Sequence, residues 1–247
     1  MNQRIRVLAL LLALVSGSAA ASVVIPHTRV IYPGDAREQS LQFTNEDDSP
    51  SVMQVWIDSG DPDSTPEKAD APFVVTPPVF RIEPKAGQMV RVVFTGNALP
   101  QDRESVFYLN TLQIPSQRAE YADKNQMLIL LRNRLKLFYR PAGIAGSAAD
   151  APGKLTFRVD AKRGAPQLAV VNPAGYYVTV LGGTVTCGAT SATFKGDMLS
   201  PRGDATWPLS GGCANASEAR SVSVEYVDDY GAIRKLERSL ESGREVR

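Results

Sequence analysis

Three basic residues stand at alternate positions late in the first half of this chain, and one more stands near its start. Arg132, Arg134 and Lys136 share one side if the segment is a β-strand, because alternate strand residues point to the same face. Such a row could bind a negatively charged group locally. A row of this kind is usually a solvated face, but this one leads directly into an expected domain junction. Arg29 is the other candidate cation for a cleft at that junction.

The segment just before these cations, 126–131, is apolar on both faces. A strand of an antiparallel sandwich normally alternates apolar residues inside with polar residues outside. One set of side chains can fill the core of its own domain, either Leu128 and Leu130, or Met127, Ile129 and Leu131. The other set has no place in a monomer. Two interpretations stay open: a central strand covered by a neighbouring domain, or a strand that lends its second face to another protein.

Residues suited to catalysis are sparse. His27 is the single histidine, and no serine elbow or reactive cysteine stands near it in the sequence. The acidic stretch from Asp58 to Asp70 is rich in turn residues, so we interpret it as a solvated loop. The sequence contains no paired carboxylates suited to acid and base roles, no phosphate-binding loop and no metal-binding motif. We therefore predict a protein that is not an enzyme and needs no cofactor.

The N-terminal segment has the layout of a cleavable secretory signal. Arg4 and Arg6 precede an apolar run from Val7 to Val15, and small residues follow as far as Ala21. We expect residues 1–21 to be removed on export. Lys and Arg total 27 against 26 Asp and Glu, a net charge of +1, which gives no general electrostatic argument for nucleic acid or an anionic membrane as partner.

Two cysteines, Cys187 and Cys213, lie in the second half of the chain. An exported protein meets an oxidising compartment, so a single disulfide between them is the economical interpretation. A metal-binding pair is the alternative, but no further ligand lies near either cysteine in the sequence.

Short β-branched and aromatic runs recur between turn residues, which predicts an all-β protein. The first half contains about seven such runs, the number that an immunoglobulin-like sandwich needs. After Pro141 the sequence becomes small and weakly apolar, so we place a domain boundary there. We expect one domain over residues 22–141 and a second, smaller sandwich over residues 142–247.

Six pieces of the sequence together resemble the PapD-like pilus chaperones of chaperone-usher systems. They are Thr28 to Pro33, Val75 to Pro84, Leu99 to Asn110, Leu135 to Pro141, Asn172-Pro173 with Tyr176 to Val178, and Asp229 to Gly231. The resemblance implies two immunoglobulin-like β-sandwich domains set at an angle, with a cleft between them. It also implies a periplasmic protein that binds pilus subunits and delivers them to an outer-membrane usher.

The resemblance assigns roles to particular residues of this chain. Arg29 and Lys136 would bind the C-terminal carboxylate of a subunit, and Glu104, Arg140 and Asp229 would form an interdomain charge cluster, with Asp228 as an alternative to Asp229. Met127, Ile129 and Leu131 would be the donor-strand residues that complete the subunit's sandwich. A regular strand points Lys136 away from these three, and a bulge or a strong twist between Leu131 and Lys136 would reconcile the two roles.

Other functions remain open on the sequence alone. An extracellular binding module with tandem immunoglobulin-like domains is one, and it would not need Arg29 and Lys136 to meet at a cleft. A secreted hydrolase on a β-sandwich is another, and it would need a carboxylate pair. A third is a chaperone of the same fold that serves a different secreted fibre. Because its apolar strand is exposed, we also expect the free protein to associate weakly with itself.

Overall fold

The structure is a computed structural model that describes residues 23–96, 98–116, 124–125, 127–160, 166–213 and 216–240. The expected signal segment, 1–21, lies outside the described residues. Strands make up nearly all of the regular structure, and they form two sandwiches, each around its own apolar core. The helical elements of the described part are 3₁₀ turns at Pro66–Lys68, Pro152–Lys154 and Ala216–Glu218. The predicted fold class, two immunoglobulin-like sandwiches, is confirmed.

The first sandwich consists of two sheets. Its strands are β1 (Val23–Val24), β2 (Arg29–Pro33), β3 (Gln39–Asn45), β4 (Ser51–Asp58), β5 (Phe73–Thr76), β6 (Val79–Ile82), β7 (Gly87–Phe94), β8 (Ser105–Pro115) and β9 (Leu131–Arg140). One sheet has the order β1-β3-β7-β5 and the other has the order β2-β9-β8-β4-β6. Strand β9 pairs antiparallel with β8 on one side and parallel with β2 on the other.

The first apolar run of the chain divides between the two sheets. Strand β1 pairs with β3, whereas β2 pairs with β9, and residues 25–28 cross from one sheet to the other. Pro26 lies in this crossing, where its missing N–H breaks no ladder hydrogen bond. As a result Arg29 is the first residue of β2, at the end of the parallel pair.

Aromatic rings hold β2 and β9 together from inside the sandwich. The ring of Tyr32 on β2 stacks on Tyr139 of β9 with centroids 6.0 Å apart, and it meets Phe73 edge-on at 5.4 Å. Phe94 lies 4.6 Å from Tyr139, and Phe107 lies 5.1 Å from Phe73. Burying an aromatic side chain contributes about 1.5 to 3 kcal/mol. This core therefore fixes the register between β2 and β9.

The second sandwich has one sheet of three strands and one of six. Its strands are β10 (Thr156–Asp160), β11 (Gln167–Val171), β12 (Val178–Cys187), β13 (Thr190–Lys195), β14 (Met198–Leu199), β15 (Asp204–Pro208), β16 (Ser210–Gly211), β17 (Ala219–Val227) and β18 (Ile233–Ser239). The small sheet has the order β10-β11-β15. The large sheet has the order β16-β13-β12-β17-β18, and β14 also pairs with β12.

A disulfide joins Cys187 to Cys213 inside the second sandwich, as expected from the sequence. Cys187 ends β12, and Cys213 follows β16; both are buried. The bond closes a loop with a sequence separation of 26 residues that contains β13 to β16. Since such a bond removes conformational freedom from the unfolded chain, it stabilises these short strands.

Charged side chains join the two sandwiches. Arg140, the last residue of β9, donates from Nε to Oε1 of Glu104 at 2.6 Å. Its Nη1 and Nη2 donate to the two carboxylate oxygens of Asp229 in the second sandwich, at 2.8 Å and 3.0 Å. The other oxygen of Glu104 accepts a hydrogen bond from the Tyr177 N–H at 2.7 Å. One guanidinium thus bridges a carboxylate from each sandwich.

Burial and ion pairing shift the pKa values of this cluster in opposite directions. Burial alone would lower the pKa of the Arg140 guanidinium, but the hydrogen bonds and charges of Asp229 and Glu104 outweigh it and raise the pKa. Burial raises the pKa of the Glu104 carboxyl, and the Arg140 charge and the Tyr177 N–H oppose that shift. Neither charge could remain buried without the other.

Neighbouring contacts support the same junction. Asp228 is occupied by Arg234 of its own sandwich, whose Nε lies 2.9 Å from it, so Asp229 is the residue that meets Arg140. On another side of the junction, the Arg202 guanidinium pairs with the Asp102 carboxylate of the first sandwich. The Glu104 N–H also donates to the Gly175 carbonyl at 2.8 Å. Ion pairs and a backbone hydrogen bond therefore both connect the sandwiches.

Replacing Arg140 with methionine should destabilise the protein and make the angle between its two sandwiches more variable. The substitution leaves Glu104 buried without a cation, and breaking a buried ion pair in this way costs about 3 to 5 kcal/mol. Chemical denaturation would measure the loss, and small-angle X-ray scattering would report the wider range of domain orientations.

Arg234→Met is the matched control, because Arg234 is an exposed arginine that pairs with Asp228 within one sandwich. It should change stability little and leave the scattering profile unaltered. Equal effects of the two substitutions would contradict the bridging role of Arg140.

Candidate functional site

The cation row on β9 lies on the outer face of its sheet. Leu135 and Leu137 are buried in the core, so Arg134 and Lys136 point to the opposite face. Pairing between β8 and β9 runs without a register shift from residue 131 to residue 139. Of the two possible explanations, a bulge between Leu131 and Lys136 is therefore excluded, and the two residues have opposite parity along the strand.

Arg29 and Lys136 face each other across the parallel strands β2 and β9. They are direct register partners, and paired strands lie about 4.8 Å apart. Both residues are half-buried. The Arg29 Nη1 donates to the Val227 carbonyl at 3.3 Å, and its guanidinium lies 6.0 Å from the Phe138 ring centroid. The buried Nε of Arg29 has no hydrogen-bond partner among the residues that the structure describes.

Burial makes both of these positive charges unfavourable. It lowers the pKa of the Arg29 guanidinium, although Asp229, Asp228 and Glu104 oppose the shift. It also lowers the pKa of the Lys136 ammonium, and the neighbouring Arg29 charge lowers it further. Within the described part of the chain, no carboxylate lies in ion-pair distance of either cation. A negatively charged group bound between the two cations would relieve both effects.

The next basic residue of the row, Arg134, is neutralised within its own domain. Its Nη2 lies 2.6 Å from Oδ1 of Asp58, and its guanidinium lies 3.8 Å from the Tyr108 ring centroid. Asp58 is fully buried and also accepts hydrogen bonds from Asn110 Nδ2 at 2.6 Å and from the Gly60 N–H at 2.7 Å. Our interpretation of the acidic stretch as solvated was therefore wrong for Asp58. Its place directly after the apolar run of β4 was the signal available in the sequence.

Arg132 is also engaged, although it is more exposed. Its Nη2 donates to Asn110 Oδ1 at 2.8 Å and to the Ser64 carbonyl at 3.0 Å. The guanidinium lies 5.1 Å from the Trp56 ring centroid, and the Trp56 Nε1 donates to Ser64 Oγ at 3.2 Å. The structure thus separates the row that the sequence showed as uniform: Arg132 and Arg134 have partners in the first sandwich, whereas Lys136 faces Arg29.

The apolar segment before the row is exposed. Met127 is 88% exposed, Ile129 64% and Leu131 46%, and Leu128 and Leu130 are exposed as well. Residues 127–130 belong to no strand, and β9 begins only at Leu131. Along residues 131–135, β9 pairs with β8 on one edge, while β2 covers the opposite edge only from Lys136 onward. An open strand edge therefore ends at Arg29 and Lys136.

Arg29, the β2 member of the cation pair, lies at the space between the two sandwiches. Arg29 lines this cleft together with Phe138 of β9 and with Tyr177 and Tyr226 of the second sandwich. The Phe138 and Tyr177 rings lie 5.5 Å apart, so they hold the cleft walls together at one end. The structure brings Arg29 and Lys136 together, brings Glu104, Arg140 and Asp229 together, and leaves Met127, Ile129 and Leu131 exposed.

Among the described residues, no group of three or more His, Cys, Asp or Glu side chains is placed to hold a metal ion. His27 is exposed. No helix in the described ranges has the length and apolar character needed to cross a membrane.

Comparison with known proteins gives consistent matches over nearly the whole chain. Residues 22–145 match the family model of the PapD N-terminal domain, a pili and flagellar-assembly chaperone, and residues 150–238 match the C-terminal domain of the pili assembly chaperone PapD. The chain is 36% identical over 229 residues to the chaperone protein FimB/FhaD of Bordetella pertussis, covering 91% of each. It is 35% identical to the probable fimbrial chaperone YadV of Escherichia coli K12, covering 87% of this chain and 89% of that one.

Solved structures agree with these matches. The crystal structure of the YadV chaperone superimposes with a TM-score of 0.74 at 32% identity, covering 89% of this chain and all of that one. The Salmonella enterica SafB chaperone, solved in complex with the SafA pilin, gives a TM-score of 0.70 at 25% identity over 89% of this chain and 96% of that one. On these matches over both domains, the chain belongs to the PapD family of pilus-assembly chaperones.

Proposed function

We propose that this pilus-assembly chaperone binds unfinished pilus subunits by donor-strand complementation and anchors the subunit's C-terminal carboxylate between Arg29 and Lys136. The observation that carries the proposal is the facing pair of half-buried cations at the end of an open strand edge. A strand added to that edge meets both cations at the point where β2 begins. Its C-terminus would lie at Lys136, where the open edge of β9 ends. Because β9 also runs toward Lys136 along this edge, the added strand would be parallel to β9.

A carboxylate suits this position for electrostatic reasons. Each cation can give it a charge-assisted hydrogen bond, worth about 1.5 to 3 kcal/mol. The same anion removes the repulsion between Arg29 and Lys136 and favours their charged forms, which burial now opposes. The unpaired Arg29 Nε supplies one further donor in the same place.

The exposed apolar side chains supply the second part of the proposed interaction. Met127, Ile129 and Leu131 stand at alternate positions and would enter the open core of a subunit that lacks its last strand. Burying three such side chains is worth about 1.5 to 3 kcal/mol each before ordering costs. Backbone pairing would also cover two exposed sheet edges, which otherwise favour aggregation.

The same proposal includes a place of action and a delivery step. We propose that the protein works in the periplasm after loss of residues 1–21, and that it hands its subunits to an outer-membrane usher. The disulfide between Cys187 and Cys213 supports an oxidising compartment. We also propose 22–141 and 142–247 as its two chaperone domains.

Removing either cation should weaken carboxylate binding selectively. A synthetic strand peptide of alternating valine and threonine with a free C-terminal carboxylate should bind Arg29→Ala and Lys136→Ala about 10- to 100-fold more weakly than wild type. The amidated twin of the peptide should bind all three proteins with similar, low affinity. Isothermal titration calorimetry gives these dissociation constants.

Arg81→Ala is the matched control, since Arg81 is an exposed cation of the same sheet that pairs with Glu83 at 2.8 Å. It should bind both peptides as wild type does. If wild type does not distinguish carboxylate from amide, the proposed anchor is wrong.

Free chaperone should associate weakly with itself through the exposed segment 127–131. Sedimentation equilibrium at high protein concentration should show a dimer that Ile129→Glu abolishes, because a buried charge would oppose pairing of the two apolar segments. Val74→Glu, which alters an exposed valine on the other sheet, should leave the dimer intact. A wild-type protein that remains monomeric at every concentration would exclude this association.

A further inference from the structure

Donor-strand binding poses a register problem that apolar alternation cannot solve alone. Slipping a paired strand by one residue turns every apolar side chain to the wrong face, so the alternating pattern excludes it. Slipping it by two residues keeps every side chain on its original face. The pattern at Met127, Ile129 and Leu131 therefore tolerates even-numbered slips, and only an anchor at the end of the strand excludes them.

The cation row has the spacing that a two-residue slip of the bound strand requires. Arg132, Arg134 and Lys136 share one face of the β9 segment, with a spacing of about 6.7 Å for each step of two residues. A carboxylate bound at Arg134 instead of Lys136 would shift the whole partner strand by two residues toward Met127. A carboxylate at Arg132 would shift it by four.

Asp58 occupies the Arg134 guanidinium, which would otherwise be open to an external carboxylate. The ion pair measures 2.6 Å, the Asp58 side chain is 1% exposed and the Arg134 side chain 25%. Asn110 and the Gly60 N–H hold the carboxylate in position, and the Tyr108 ring covers the guanidinium. An external carboxylate would have to displace a buried charge from Arg134, which makes binding there unfavourable.

Asn110 links the same network to the next cation. Its Nδ2 donates to Asp58 and its Oδ1 accepts from Arg132, so one side chain serves both arginines. The Ser64 carbonyl is a second acceptor for Arg132, and the Trp56 ring lies against its guanidinium. Arg134 is thus ion-paired and Arg132 has neutral acceptors within the first sandwich, whereas Lys136 has Arg29 beside it. The buried Nε of Arg134 has no hydrogen-bond partner among the described residues.

We propose that Asp58, with Asn110 and Ser64, determines the register of the bound subunit by occupying Arg134 and Arg132. Lys136 and Arg29 are then the single end anchor open to a carboxylate, and even-numbered slips find no anchor. This inference rests on the proposed function. Asp58 acts as a positioning residue, because it touches no part of the subunit and works through Arg134.

The test maps the register of a bound peptide directly. The probe is a strand peptide of alternating valine and threonine with a free carboxylate and one benzophenone side chain near its N-terminus. After illumination, mass spectrometry locates the crosslinked residue between Met127 and Lys136. Wild type should give one crosslink site. Asp58→Asn, which frees the Arg134 charge at nearly constant volume, should give a second site two residues nearer Met127, with the ratio of slipped to native product raised about tenfold or more.

The double variant Asp58→Asn with Arg134→Met is the matched control. It contains the same change at Asp58 but has no freed cation, so it should return to one crosslink site. A single, unshifted site in Asp58→Asn would overturn the inference. A second site that persists in the double variant would also overturn it, because general loosening of the strand would then be the cause.

A double substitution at Arg29 and Lys136 tests the same inference without altering the buried ion pair between Asp58 and Arg134. In Arg29→Ala with Lys136→Gln, Arg134 remains held by Asp58, so carboxylate-dependent binding should disappear with no slipped product. A slipped product in this variant would show that Arg134 is available and would overturn the inference even if Asp58→Asn does not fold. Failure of the proposed function looks different: wild type itself would bind the carboxylate and amide peptides equally.

Discussion

The adjacency of Arg29 and Lys136 is the constraint on which the other features of the candidate site depend. The two cations are direct partners in the parallel pair of β2 and β9, and the stacked rings of Tyr32 and Tyr139 on the same two strands fix that register from the core. The backbones that carry the two cations cannot move apart without disturbing the core. Because both are half-buried, solvent and salt screen their repulsion less than they would at the surface. A bound carboxylate turns this unfavourable arrangement into a favourable one.

The arginines on either side of Lys136 in β9 differ from it in their partners. Arg134 is held by a buried Asp58 on one side of Lys136, and Arg140 is held by Glu104 and Asp229 on the other. The first pairing fastens the strand to its own sandwich, and the second fastens it to the neighbouring sandwich. Lys136 lies between two well-neutralised arginines, at the residue where the open edge of β9 ends. Among the described residues, Lys136 thus stands between two ion-paired arginines and beside Arg29, whereas Arg132, with neutral acceptors, is more exposed.

Sequence reasoning predicted the fold class, the disulfide and the chaperone family. It did not predict strands Thr190–Lys195 and Asp204–Pro208, because Thr, Ser and Pro give these segments little of the apolar alternation that marks a strand. It showed that Arg132, Arg134 and Lys136 share a face, which depends only on spacing. It could not show that Arg134 meets Asp58, 76 residues earlier, since that contact depends on how β4 and β9 are placed in the sheet. The roles of Arg29, Lys136 and the donor residues stay predictions drawn from the family resemblance and supported by geometry.

The most direct test is to measure the pKa of the Lys136 ammonium by NMR, with and without the carboxylate-ended strand peptide. We predict that in the free protein this pKa lies below the ordinary lysine value, because of burial and the Arg29 charge. Binding of the carboxylate should raise it, since a neighbouring anion favours the charged form. An unshifted pKa in the free protein, or the same pKa in the free and bound states, would contradict the claim that Arg29 and Lys136 form a carboxylate anchor.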